Sequence, residues 1–210
     1  MVLNDKQKEI LLIAEELFSD KGIDGTSIRD ISKAAGINVA MINYYFGSKN
    51  QMITALFEIR LQRMREKLAA LNEKDDINPM EKMILFLNDL FDILLKNAGF
   101  HIIMIRQLSK GSIDPEIFEN IFLLKRDIMK MITQLTEEGY EQGIFKAKPD
   151  ADILVVITIG CMSYLVHNER LFSGYWNTEN HEEYSLHVKQ HIYPHLINSL
   201  KAILMYNEQK

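Results

Sequence analysis

From Ile31 to Phe57 the chain contains no aspartate or glutamate, yet it keeps Lys33 and Lys49. A surface pressed against a polyanion has this profile, because a single carboxylate there would repel the partner. The segment Val39–Phe46, VAMINYYF, carries the groups that would make the contact. Read as a helix at about 100° per residue, it places Ile42 and Phe46 on one face, which belongs to a core. Ala40 and Tyr44 point roughly the other way, with Met41 and Asn43 on the flanks. Tyr44 and Tyr45 carry hydroxyls that can donate hydrogen bonds to phosphate oxygens, contacts that position a protein without reading sequence. The Asn43 amide has the donor–acceptor pair suited to adenine, Val39 or Met41 can meet thymine methyls, and Ala40 lets the backbone come close. A helical hairpin with a polar outer face is the bland alternative for the same spacing.

Other groups that could do chemistry are weaker. His187, His191 and His195 recur at i, i+4 and i+8 on one helical face, with His181 upstream, and pairs at that spacing can hold zinc or nickel. No cysteine stands nearby to complete a set, and Pro194 disturbs the geometry between the last two, so no metal is expected and an interface rim suits them better. His101 and His167 stand alone and are expected to be satisfied polar groups near a core or cavity. The single cysteine, Cys161, lies in a very apolar run, where a thiol is ordinarily inert. There is no glycine-rich phosphate loop, no G-x-S-x-G and no paired metal-ligand motif, so neither an enzyme nor a cofactor is expected. Phe86, Phe100, Met104, Phe122 and Tyr164, with Phe91 and Phe118, could line an apolar ligand cavity between helices; the same residues would also fill an ordinary core. Trp176, in SGYWNTEN, reads as a loop residue that lids a pocket or caps the bundle.

The elements that must position Val39–Phe46 are clearly punctuated. Ser27 with Asp30 three residues on is a capping box, Asn38 is a good N-cap for the next helix, and Ser48 with Gln51 repeats the box. Gly36 stands where the first of the two short helices must turn sharply, in a conformation that favours glycine. Two helices joined by a short turn containing glycine make a helix-turn-helix, whose second helix enters the DNA major groove. Upstream, residues 5–20 form a helix with Ile10, Ala14, Leu17 and Phe18 at helical spacing, closed by Lys21-Gly22. Downstream, a helix runs from about 48 to 71 and joins this head to the rest of the chain.

With these motifs in place, residues 10–57, about a quarter of the chain, resemble the N-terminal domain of the TetR family of bacterial transcriptional regulators. The likeness rests on ILLIAEELFSDKGIDGTSIRDISKAAGI followed by NVAMINYYFGSK, and in particular on the Ala14, Leu17, Phe18 face, Gly22, Thr26-Ser27, Ala35-Gly36, the aromatic pair before Phe46, and Lys49. The resemblance implies a homodimeric, ligand-responsive repressor with an all-helical C-terminal domain. It implies that Thr26, Ser27 and Arg29 lie near the DNA backbone, that Asn38, Val39, Ala40 and Met41 face bases, and that Tyr44, Tyr45 and Lys49 grip phosphates. Asn43 stands where many members carry tyrosine, and Ala40 where glycine is frequent.

Composition sets the outer limits. The 210 residues suffice for a sizeable core, and 47% hydrophobic residues argue against disorder. The net charge of −5 predicts no broad basic field, and residues 1–60 hold seven basic and eight acidic residues. Local contact, doubled in a dimer, must therefore supply the grip on DNA. One cysteine and an N-terminus without a signal-peptide core suggest a reducing cytoplasm. The apolar run Ile153–Val166 is too short to span a bilayer, and no membrane partner is expected.

Beyond the polar break ending at Pro79, helices are expected at about 80–97, 100–110, 115–142, 150–170 and 180–207, with no strands. The expected fold is all-α: a helix-turn-helix domain over 1–50 (motif about 27–46), then a helical-bundle domain for ligand binding and dimerisation over 51–210. The helix near Ile153–Val166 is apolar on every face, and the last has Val188, Ile192, Leu196, Ile203 and Leu204 as a stripe. Together, over about 150–170 and 180–207, they suit a self-complementary homodimer interface. Two functional classes follow. The first is a repressor that binds a palindromic double-stranded DNA operator and is released by a small-molecule effector. The second is a helical small-molecule-binding protein whose N-terminal domain contacts protein.

Overall fold

The computed structural model describes residues 3–74, 76–111 and 113–206. Among them are eleven α-helices and no strand. They are α1 (Asp5–Lys21), α2 (Ile28–Ala34), α3 (Val39–Phe46), α4 (Lys49–Asn72), α5 (Pro79–Lys96), α6 (Ala98–Lys110), α7 (Pro115–Glu141), α8 (Ala151–His167), α9 (Glu169–Trp176), α10 (His181–His187) and α11 (Tyr193–Ile203). Among these residues no single helix is long and apolar enough to cross a membrane. Packing groups them into two compact units: residues up to Arg65 with Asn97–Leu124, and Glu66–Lys96 with residues from Lys125 onward. The functional division expected at residue 50 thus differs from the division by packing, in which α6 and the start of α7 go with the head.

In the first unit, local signals set the helix ends. Asn4 and Gln7 form a reciprocal capping box at the start of α1, and Gly22, at φ 78°, accepts the turn that ends it. Ser27 and Asp30 form the same box at α2. At α3 the Asn38 side chain accepts the Met41 N–H at 2.9 Å. Ser48 Oγ accepts the Gln51 N–H at 3.2 Å beside the start of α4. Ile10, Ala14 and Phe18 of α1, Ile31 of α2, and Ile42 and Phe46 of α3 are buried together with Met52 and Phe57 of α4. The stripes at helical spacing are the reason these short helices hold together, since none of their length is stable alone.

In the second unit, Met83, Phe86, Leu87, Phe91 and Leu94 of α5 and Leu154, Met162 and Leu165 of α8 are buried. Phe145 is fully enclosed and its ring lies where a Cβ on Gly139 of α7 would stand, which explains that glycine.

Four expectations for this unit are corrected. The helix expected over 180–207 is broken: α10 and α11 are separated by a π-helical turn, Val188–Ile192, in which the Tyr193 N–H reaches back five residues to the Val188 carbonyl. Pro194 has no N–H to continue the α-helical ladder, and a π turn absorbs the mismatch. The helix expected over 150–170 ends at His167, and Trp176 closes a separate helix, α9, instead of lying in a loop. Cys161 is exposed, because the apolar run around it buries only one of its faces. Finally, Val188 and Leu204 of the expected interface stripe are fully buried in the unit's own core.

Candidate nucleic-acid interface

The interface is built from α2, α3 and the start of α4. Burial of Ile42 and Phe46 fixes the rotation of α3, and the opposite side is left to solvent. Ala40, Met41, Asn43 and Tyr44 are all exposed, Tyr44 at 81%. Val39 and Tyr45 are half-buried at the edges, and the Tyr45 ring meets that of Tyr44 edge-on at 5.4 Å. The Tyr45 carbonyl accepts a hydrogen bond from Gln7 of α1, which ties the end of α3 to the first helix. An outer helical face of amide, aromatic and small apolar groups without any charge can enter a groove and lie against a polyanion without repulsion.

The other expected contact residues divide. Arg29, Ser27 and Asn38 are exposed. Ser27 Oγ accepts the Asp30 N–H, and the Asp30 carboxylate accepts from the Ser27 hydroxyl at 2.6 Å and from the Ser27 N–H at 2.8 Å; the two bonds to the carboxylate hold it below the usual carboxylate range. Thr26 departs from its expected role at the DNA backbone. It is buried, and its hydroxyl is shared between the carbonyls of Leu17 and Gly22, at 3.1 and 2.9 Å, so it locks the α1–α2 corner. Lys49 is half-buried and its amine donates to the Ile23 carbonyl, leaving two of its three protons for a phosphate.

What the sequence reading missed is the seat beneath this head. Glu15 of α1 is buried and meets Arg60 of α4 with both guanidinium contacts within 2.9 Å. It also accepts the backbone N–H of Phe100, one of the unpaired donors at the start of α6. Arg106 of α6 returns the favour at the other end, donating to the Ser19 carbonyl at 2.6 Å, and Lys110 meets Asp24 at 3.0 Å. Burial pushes the Glu15 carboxyl up, Arg60 pulls it down, and burial prevails. Gly99 permits this approach, since a Cβ there would stand 3.3 Å from Ser19. Partners separated by as many as 87 residues leave no periodic signal in a sequence.

The five residues expected to line a ligand cavity are divided between the two units. Phe100, Met104 and Phe122 belong to the first unit, and Phe86 and Tyr164 to the second. Phe100 packs edge-on against Phe57 at 4.9 Å and Phe86 is core, whereas Phe122 and Tyr164 are exposed at 52% and 56%. A cleft of about 620 Å³ does exist in the second unit, lined by Asn72, Asn78, Lys82, Gln134 and Glu138 among others, and none of the five reaches it. The histidines form no group of three or more ligands among the described residues. Instead His187 is stacked on Trp176 at 4.5 Å and meets the His191 ring at a tilt at 4.7 Å, and His167 holds the Ser163 carbonyl at 2.9 Å.

Comparison with known proteins agrees with this geometry. Residues 10–56 match the family model of bacterial regulatory proteins of the tetR family, and residues 76–167 match a tetracyclin repressor-like C-terminal domain. The probable HTH-type transcriptional regulator YttP of Bacillus subtilis is 30% identical over 153 residues, 71% of each chain. The solved structure of the ketosteroid transcriptional regulator KstR2 of Mycobacterium tuberculosis superposes with a TM-score of 0.70 at 22% identity, covering 79% of this chain and 84% of that one. That of AibR, in complex with isovaleryl coenzyme A and operator DNA, gives 0.62 at 20% identity over 78% and 86%. With the helix-turn-helix, the all-helical remainder and both matched models in agreement, the chain belongs to the TetR family of bacterial transcriptional regulators.

Proposed function

We propose that this protein is a transcriptional repressor that binds a palindromic DNA operator as a homodimer and lets it go when a small-molecule effector binds. The observation that carries the reading is the outer face of α3, exposed and free of charge from Val39 to Phe46. The dimer follows from what one head lacks. With seven basic residues in the first 60, a single head has a small phosphate footprint, and two heads double it. The recognition helices of such a dimer must stand about 34–36 Å apart to meet successive major grooves. The exposed side of α8, with Ile153 at 49%, Val156 at 70% and Tyr164 at 56%, offers a self-complementary apolar face for it, beside the last helix.

An effector acts by preferring a subunit separation that misses the grooves, and it weakens DNA binding only by its differential affinity for the two arrangements. That one fold can hold both ligands is supported by AibR, solved with an acyl coenzyme A and its operator. On this reading the protein works in the cytoplasm, beside the DNA it regulates.

The test begins with selection of bound duplexes from a random pool at low salt, which is expected to return a symmetric motif. On that motif, Tyr44→Phe is expected to weaken binding to all sequences alike, with the dimer and its thermal stability unchanged because the ring is exposed. Lys49→Ala is expected to lower the slope of log affinity against log salt by about one per subunit. Full DNA affinity in both variants would instead place the role of the head in protein contact.

A further inference from the structure

We infer that the recognition helix is a reader of A·T pairs: each operator half-site presents an adenine to Asn43 and thymine methyls to Met41 and Val39, and α3 reads no guanine. The inference rests on the DNA-binding reading above and adds to it the base composition of the operator under the helix.

It follows from which groups the helix offers. In the major groove guanine is read chiefly by an arginine or lysine bonded to O6 and N7 together, and cytosine by a carboxylate accepting from its amine. From Asn38 to Ser48 the chain has no arginine, lysine, aspartate, glutamate or glutamine. The nearest cation in sequence, Lys49, is half-buried with its amine on the Ile23 carbonyl. The acceptor oxygens of two further polar side chains in the segment are taken up by capping, Asn38 Oδ1 by the Met41 N–H and Ser48 Oγ by the Gln51 N–H, so neither offers the paired donor and acceptor that Asn43 does.

Asn43 is different. It is exposed, and its side-chain amide has no partner among the described residues. A carboxamide satisfies adenine twice, accepting from N6 and donating to N7, whereas guanine shows two acceptors and leaves the amide oxygen facing one of them. Met41, 37% exposed, and half-buried Val39 present only carbon and sulfur. Such groups gain from a thymine methyl and leave the amine of a cytosine unpaired, a loss for a buried polar group. Ala40 allows the approach that these short side chains need.

The experiment uses the full chain and the motif recovered by selection. Replacing one adenine per half-site with 7-deazaadenine, which lacks the N7 acceptor, is expected to weaken the wild type roughly ten-fold and to leave Asn43→Ala unaffected. Replacing the contacted thymine with uracil is expected to weaken the wild type by a smaller factor, a loss that disappears in Met41→Ala. Circular dichroism and sedimentation of both variants are expected to match the wild type, since both sites are on the exposed face. The inference is overturned if the base pairs whose preference is lost in Asn43→Ala are G·C, or if 7-deazaadenine has the same effect on wild type and variant. Failure of the wild type to select any symmetric motif would instead overturn the DNA-binding reading on which it stands.

Discussion

At the scale of single residues, Glu15 is the clearest case of a charge held for position at a cost. Its carboxylate joins three helices: α1, which carries it, α4 through Arg60, and the first turn of α6 through the Phe100 N–H. Because burial raises its pKa above the ordinary 4.5, the protonated form suits the folded state better. Its contribution to stability is therefore fully present below about pH 4.5 and is lost as pH rises through the raised native value. In Glu15→Gln this titration is absent. The stability of the wild type relative to that variant is expected to fall in urea unfolding as pH rises above about 4.5, and to level off once pH has passed the raised native value. Glu15→Ala strands the Arg60 guanidinium, 15% exposed, and is expected to cost about 3 kcal/mol. Thr26 teaches the complementary lesson. A residue expected at DNA proves to be a corner lock, because its hydroxyl found two carbonyls inside the fold before it could face outward.

Among the elements, the π turn between α10 and α11 has the most consequences. By inserting one residue into the helix at Val188–Ile192 it sets the His187 and His191 rings 4.7 Å apart and stacks His187 on Trp176. Burial, then the neighbouring His191, lowers the pKa of His187 below its ordinary 6.5. A base held below its unfolded value contributes stability above about pH 6.5, and that contribution is lost as pH falls through the lowered native value. Trp176 is the only tryptophan, so its emission reports the charge on the stacked ring. Titration of that emission is expected to give a midpoint below 6.5, and His191→Gln is expected to raise it. An unchanged midpoint would mean that burial alone sets the shift.

For the whole molecule, the decisive surface is the side of α8 that its own unit leaves bare. Leu154, Thr158, Met162 and Leu165 are buried while Ile153, Val156 and Tyr164 are exposed, so a helix apolar all round has half of its surface unspent. If the proposed homodimer forms through this face, Val156→Asp is expected to leave a monomer in sedimentation and to abolish binding to the proposed symmetric operator, with the helical circular dichroism intact. A charged pair at a two-fold interface meets its own copy, which is why one substitution suffices. If the variant sediments like the wild type, the dimer is built elsewhere.

The sequence by itself determined the local structure: where helices start and stop, and which face of each is apolar. Ser27 with Asp30, Asn38 and Gly36 act within four residues of themselves, so the bounds of α2 and α3 were legible, and with them the acid-free face of the recognition helix. The family followed from the same ordered signals. Only the tertiary structure decided what those faces meet. It paired Glu15 with Arg60 across 45 residues and Arg106 with Ser19 across 87, buried Thr26, exposed Cys161, broke the last helix at Pro194, and left Phe122 and Tyr164 on the surface of their units. The reason is physical: caps and periodicity are satisfied by neighbours in the chain, whereas burial and ion pairing are satisfied by whichever element docks alongside.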